Sequence, residues 1–129
     1  GQAMLSVPAT KGVEIGRGFQ QARMRGSESN DPFVLEGDRV RIGNNNAGGT
    51  LGGISTGEDV IVRVAVKPTS SIEREQDTVT KNLDPEKIIV YGRHDPSVVP
   101  RAVPVLEAML ALVLADLVLE DRTSRIDWS

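Results

Sequence analysis

PRAVPVLEAMLALVLAD, Pro100–Asp116, is the most apolar run in the chain. Its prolines, Pro100 and Pro104, sit early, where a helix tolerates or begins at proline. A helix is therefore expected over Val98–Asp121. Beyond Pro104 only Glu107 and Asp116 carry charge before Glu120. Their spacing sets them about 180° apart round a helix at 100° per residue. No polar stripe remains, so this helix is expected to be buried on several sides rather than laid on a surface. A membrane span is the competing reading. Arg101, Glu107, Asp116 and two prolines within about twenty residues argue against it.

Outward from the helix, Glu86–Tyr91 (EKIIVY) reads as a strand ended by Gly92. Glu58–Lys67 (EDVIVRVAVK) alternates: Val60, Val62, Val64 and Val66 share one face, the pattern of a half-buried strand that Pro68 stops. Ser70–Pro85 between them is polar and irregular, with room for a hairpin. Arg39–Ile42 is a possible short strand after a Gly37-Asp38 turn, and Phe33 and Leu35 are expected to tuck under a loop. Gly16–Arg25 reads as a short helix and Ala3–Ile15 as an extended stretch. A helix covered on several sides beside alternating strands suggests a layered α+β arrangement.

The chain has 129 residues, about one domain's worth. Apolar residues make up 39% and charged residues 26%, as in a globular rather than a disordered chain. A net charge of −3 lacks the basic excess of a nucleic-acid or anionic-membrane binder, so neither partner is expected. With no Cys and one His, His94, there is no disulfide framework and no expected metal site. Four aromatics (Phe19, Phe33, Tyr91, Trp128) leave few stacking surfaces. The first residues, GQAMLSVPATKG, show neither an initiator Met nor the basic and apolar regions of a secretory signal. A fragment of something longer is the expectation.

Three constellations have the residue types for chemistry. Asn44–Gly57 (NNNAGGTLGGISTG) holds five glycines and a backbone able to reach positive φ repeatedly. Its N–H groups suit an anion nest, but it lacks the flanking strand and helix of a dinucleotide fingerprint and the GK[ST] of a P-loop. A flexible connector is the alternative. Lys67-Pro68-Thr69-Ser70-Ser71 places one cation and three hydroxyls at a strand end, the mixture a phosphate monoester needs. An ordinary Ser/Thr turn is the alternative. Gly92-Arg93-His94-Asp95-Pro96 offers an arginine for a bidentate grip and an aspartate to orient or accept a proton. An Arg–Asp pair with an Asp-Pro turn capping the helix is the alternative. His94 reads as a hydrogen-bonded loop histidine, and Glu107 and Asp116 are given no role.

Together, and in this order, SVPATKGVEIGRGF (Ser6–Phe19), NNNAGGTLGGISTG, VAVKPTSSI (Val64–Ile72), GRHDP (Gly92–Pro96) and PRAVPVLEAMLALVLAD resemble the C-terminal portion of chorismate synthases. The resemblance covers nearly the whole chain apart from stretches near 27–40 and 73–86. It implies a lyase of aromatic amino-acid biosynthesis, the shikimate pathway. Such an enzyme eliminates phosphate and a ring proton from 5-enolpyruvylshikimate 3-phosphate to give chorismate. Reduced FMN is required although there is no net redox change, and NADPH is a possible reductant of the flavin. The hard chemistry is then the cofactor's, and the protein supplies binding and orientation.

By the same resemblance Lys67, Pro68, Thr69, Ser70 and Ser71 would hold FMN around its phosphate and ribityl chain. Gly52 would touch FMN through its backbone, and Pro8 and Ala9 occupy an early flavin-contact dipeptide. Arg93 would contact FMN and help bind the dianionic substrate. Asp95 would lie near flavin N5 and assist proton transfer. The implied fold is a β-α-β sandwich, helices between antiparallel sheets, in a cytoplasmic homotetramer. The family's Gly-Glu-Ser-His-Gly motif, its acid–base histidines and its arginine cluster are absent from residues 1–129, so the chain is expected to be a C-terminal part that is inactive alone. A non-catalytic phosphate-ligand or flavin-binding module, or an oligomerisation fragment, is the alternative.

Overall fold

The structure, a computed structural model, describes residues 1–125. Trp128 lies outside them. The chain divides into two units, Gly1–Val66 and Lys67–Ser129, and each is described by itself.

The first unit opens with a helix, α1 (Gln2–Ser6), where an extended stretch was expected from Ala3. Only five residues long, it owes its place to Met4, which is 3% exposed, rather than to propensity. The turn Val7-Pro8-Ala9-Thr10 follows, closed by Thr10 N–H donating to the Val7 carbonyl at 3.2 Å. Strand β1 (Thr10–Ile15) then pairs antiparallel with β6 (Val62–Val66), Val13 opposite Val64. The expected strand over Glu58–Lys67 is thus shorter, because Asp59–Ile61 are taken up in bonds to the glycine-rich loop. Val62, Val64 and Val66 are half-buried while Arg63 and Ala65 are exposed, as the alternation requires. The short helix expected at Gly16–Arg25 is a 3₁₀ helix over Gly18–Arg23, followed by α2 (Gly26–Ser29).

Strands β2 (Phe33–Glu36) and β3 (Arg39–Ile42) form a hairpin around Gly37-Asp38, with Gly37 at φ 60°, where a two-residue turn needs glycine. Phe33 and Leu35 do not tuck under a loop: they are 74% and 76% exposed on β2. The glycine-rich segment contains a small hairpin, β4 (Thr50–Leu51) and β5 (Ile54–Ser55), turning at Gly52-Gly53.

The second unit contains the hairpin β7 (Gln76–Val79) and β8 (Pro85–Ile88) and the helix α3 (Val99–Ser124). The hairpin closes at Thr80–Asp84, where the Thr80 hydroxyl accepts from the N–H groups of Asn82 and Asp84 at 3.2 Å. The strand expected over Glu86–Tyr91 ends at Ile88, since Gln76, opposite Ile88, is the first residue of its partner. Pro100 lies in the first turn of α3 and Pro104 is tolerated one turn on.

Mixed helix and sheet content is as expected. Within neither unit by itself do the described residues build layers; their four ladders have two strands each. Nor is α3 covered on several sides: none of its residues is buried, and Leu112, Leu117 and Leu119 are 66%, 54% and 60% exposed. Met4 and Ile42 are the buried hydrophobic residues of the described chain. The accessible surface is 10656 Å². Two independent globules, each with half of the chain's 13.9 kDa, would expose only about 8,000 Å². The apolar pattern of α3 therefore asks for more covering surface than these residues supply. By length and composition α3 would also suffice to cross a membrane.

Candidate functional site

In the second unit the chain brings two of the sequence constellations to the same end of one hairpin. Lys67–Ser71 lies before β7 and Gly92–Pro96 after β8, and the antiparallel register of β7 and β8 puts both at the open end. Gly92 N–H donates to the carboxylate of Glu73, two residues beyond Ser71, at 3.4 Å. Within the first loop, the Thr69 hydroxyl is buried and has no hydrogen-bond partner. A buried hydroxyl without a partner loses its water without compensation, so it favours a ligand that accepts or donates there. Lys67, Ser70, Ser71 and Arg93 make no side-chain hydrogen bond or ion pair among the described residues, and all four are exposed. A cation, three hydroxyls and an arginine held free at one end of a hairpin is a donor set for a phosphate.

Asp95 is engaged. Its Oδ2 accepts from Arg101 Nη1 at 2.8 Å, so the aspartate's partner is an arginine of the first turn of α3 and not Arg93. The bond orients the carboxylate and leaves Oδ1 open. The Asp-Pro turn does not cap α3; Ser97 Oγ accepts the Val99 N–H at 3.3 Å instead. His94 is a loop histidine, with Nε2 3.0 Å from the Val90 carbonyl oxygen. Glu107 and Asp116 are exposed and make no ion pair among the described residues. Arg101 is the site residue that sequence reasoning missed. Six residues separate it from Asp95, a spacing with no helical signature, because the helix starts between them.

In the first unit, Pro8 and Ala9 are the two central residues of the turn before β1. Proline at the first of these positions fixes its φ, and Ala9 follows at φ 67°. That region is disfavoured for a residue with a Cβ, and such strain concentrates at ligand-contacting positions. Gly52 has φ 57° at the tip of the β4–β5 hairpin, and a Cβ built on it would meet nothing within 4 Å. Its bare backbone is open to close approach by a ligand. A hollow of about 330 Å³ elsewhere in this unit lies beside Phe19 on β1 and β6. None of the sequence-predicted residues lines it, and its two charged groups, Glu14 and Arg63, face each other at 3.4 Å.

The glycine-rich segment is held at both ends by carboxylates. Asp31 accepts the N–H groups of Asn46 and Ala47 at 2.7 and 2.8 Å. Glu58 takes Arg41 in a two-pronged pair at 2.6 and 2.7 Å and also accepts the Ile42 N–H at 3.1 Å. The Arg41 hydrogen bond, then the Ile42 amide, hold the Glu58 carboxyl at about 2. The same pair pushes Arg41 further above its usual range.

A family model described as chorismate synthase matches residues 1–119. The chain belongs to the chorismate synthase family. It is 57% identical to the chorismate synthase of Chloroflexus aggregans over the whole of this chain and 36% of that protein. With the chorismate synthase of Archaeoglobus fulgidus it shares 60% identity over 91% of this chain and 33% of that one. A solved structure titled "Crystal Structure of Chorismate Synthase" superposes with a TM-score of 0.65 at 40% identity, covering 93% of this chain and 28% of that chain. The chain thus spans about a third of the length of the curated chorismate synthases it matches.

Proposed function

We propose that the chain supplies much of the FMN-binding part of a chorismate synthase, which eliminates phosphate from 5-enolpyruvylshikimate 3-phosphate to give chorismate. The observation that carries this reading is the pair of loops at the open end of the β7–β8 hairpin, with its buried, partnerless Thr69 hydroxyl and its uncommitted Lys67 and Arg93. Family membership supplies the ligand that such a donor set would take. Reduced FMN, when bound, supplies electron density to the substrate as phosphate leaves.

The chain's own residues have separable tasks. Lys67, Thr69, Ser70 and Ser71 bind the flavin's phosphate and ribityl chain, with Pro68 limiting the entropy lost on ordering that loop. Gly52 offers backbone, and Pro8-Ala9 a rigid turn. Arg93 balances the charge of the dianionic substrate. Asp95, oriented by Arg101, assists proton transfer at flavin N5. NADPH as the flavin's reductant, a cytoplasmic homotetramer and the β-α-β sandwich belong to the same reading. In that sandwich α3 is a core helix covered by parts of the enzyme outside these residues, which accounts for its apolar faces better than a bilayer would, given Arg101, Glu107 and Asp116. Residues 1–129 alone lack the family's acid–base histidines and are inactive.

The test is complementation. The 129-residue chain, joined to the N-terminal part of a chorismate synthase and given reduced FMN, is expected to form chorismate, and the chain alone to form none. Lys67→Ala and Arg93→Ala should each weaken FMN binding ten- to a hundredfold, the size of one charge-assisted hydrogen bond, about 1.5–3 kcal/mol. Unchanged FMN affinity in both variants removes the cofactor assignment.

A further inference from the structure

We propose that Asp31 is a positioning residue for flavin binding: its buried carboxylate sets the base from which the Gly52 hairpin is presented. This rests on the FMN reading above and adds to it a residue that touches neither cofactor nor substrate.

Asp31 is 8% exposed and Asn46 only 2%. The two Asp31 oxygens take consecutive backbone N–H groups, those of Asn46 and Ala47, which fixes the orientation of that peptide. The Asn46 carboxamide reaches the other way, its Nδ2 lying 3.3–3.4 Å from the carbonyls of Glu28, Ser29 and Asn30. The segment that carries Asp31 and the loop that carries Asn46 are thus bonded in both directions. From there the restraint passes along the loop. Asn46 carbonyl accepts from Arg17 N–H at 2.8 Å, Gly48 carbonyl from Ile61 N–H at 3.2 Å, and Gly49 carbonyl from Thr56 N–H at 3.0 Å. Gly49 N–H donates to Asn45 Oδ1 at 2.7 Å. Each of these bonds lies on the Asn45–Gly49 half or closes the hairpin's stem; a Cβ at Gly52 or Gly53 would meet nothing within 4 Å. The glycine-rich segment is therefore two devices, a stapled base and a free tip, with a buried carboxylate under the base. Precise presentation of a ligand-contacting backbone needs such support behind it.

The experiment reads position and binding separately. Amide hydrogen exchange on the 129-residue chain is expected to protect Asn46 and Ala47 to the level of the β1–β6 ladder. In Asp31→Asn, one acceptor oxygen becomes a donor facing an N–H. Exchange should quicken at least tenfold at Asn46, at Ala47 and through the stem of the β4–β5 hairpin. In the complete enzyme the FMN Kd should rise at least tenfold. Ile42→Val, which loosens the same unit through its apolar core, should leave that Kd within twofold. The proposal is overturned if Asn46 and Ala47 exchange as fast as Gly52 in the unaltered chain. It is equally overturned if Asp31→Asn leaves the Kd within twofold, or if Ile42→Val raises it as much. Should Asp31→Asn not fold, Asp31→Glu, which keeps both acceptors on a longer arm, is read by the same Kd limits. If the unaltered complete enzyme binds no FMN, the flavin reading fails, while exchange at Asn46, Ala47 and the hairpin stem still decides whether Asp31 positions the loop.

Discussion

Two glycines four residues apart, Gly48 and Gly52, should respond to the same added methyl group to very different extents. Both have positive φ, 71° and 57°. Gly52→Ala pays only the left-handed penalty, about 1 kcal/mol, because its Cβ would project into open space. Gly48→Ala carries the same penalty and a collision besides: its Cβ would sit 2.5 Å from the Gly16 Cα, a backbone atom with nowhere to go. Relief requires Gly48 and Gly16 to part. Three hydrogen bonds join the segments concerned: Gly16 N–H to Ile61 O, Ile61 N–H to Gly48 O, and Arg17 N–H to Asn46 O. At about 1 kcal/mol each, their loss brings the total to about 4 kcal/mol. A unit of this size has roughly 3–10 kcal/mol to lose. Urea unfolding followed by circular dichroism should therefore show Gly48→Ala partly or wholly unfolded in the first unit, and Gly52→Ala shifted by about 1 kcal/mol. FMN binding should invert the order among folded proteins, since the Gly52→Ala methyl occupies the space through which the flavin would approach. Equal destabilisation by the two substitutions would refute the steric interlock of Gly16 with Gly48.

Acid should act on Glu58. Its folded-state value of about 2 lies below the unfolded carboxylate range near ~4.3, so the stabilisation is complete above that range and lost as pH falls through about 2. Unfolding measured from pH 5 to pH 2 should show this fall, and Glu58→Gln should flatten it. Ala9→Gly should stabilise the chain by up to about 1 kcal/mol, the relief at φ 67° offset by the freer unfolded chain; a loss of stability in thermal unfolding would mean that Ala9 is not strained. Arg101→Ala removes an exposed pair and should change stability by less than about 0.5 kcal/mol. In the complete enzyme it should lower kcat more than it changes FMN affinity, with Arg101→Lys restoring part of the loss; an unchanged kcat would leave the Asp95–Arg101 pair without a part in turnover.

What could be read from the sequence was whatever leaves a periodic or compositional trace. The valine alternation of β6, the Gly37-Asp38 turn and the long helix are local patterns, and the structure has each of them. The covering of α3 was not legible in the same way. An all-round apolar helix specifies that it will be covered, not by what, and its cover is absent from the described residues. Asp31 and Asn46 were missed because Asn30-Asp31-Pro32 and Asn44-Asn45-Asn46 look like ordinary turn residues until the chain folds them together across fifteen positions. Ala3–Ser6 read as extended because the five-residue helix Gln2–Ser6 is held by the burial of Met4, a tertiary effect. KPTSSI and GRHDP were legible as candidate motifs because each keeps its residue types within five or six positions. The pairing of Asp95 with Arg101 was not, since it spans a loop and a helix start.

Backbone amide spectra of the 129-residue chain, recorded while FMN is added alone and then with the N-terminal part of a chorismate synthase present, test the flavin assignment where it is most exposed. The largest shifts should fall on Lys67–Ser71 and Gly92–Asp95, with smaller ones at Ala9 and Gly52. Tight FMN binding by the completed enzyme that leaves both loops of the β7–β8 hairpin unmoved would contradict it.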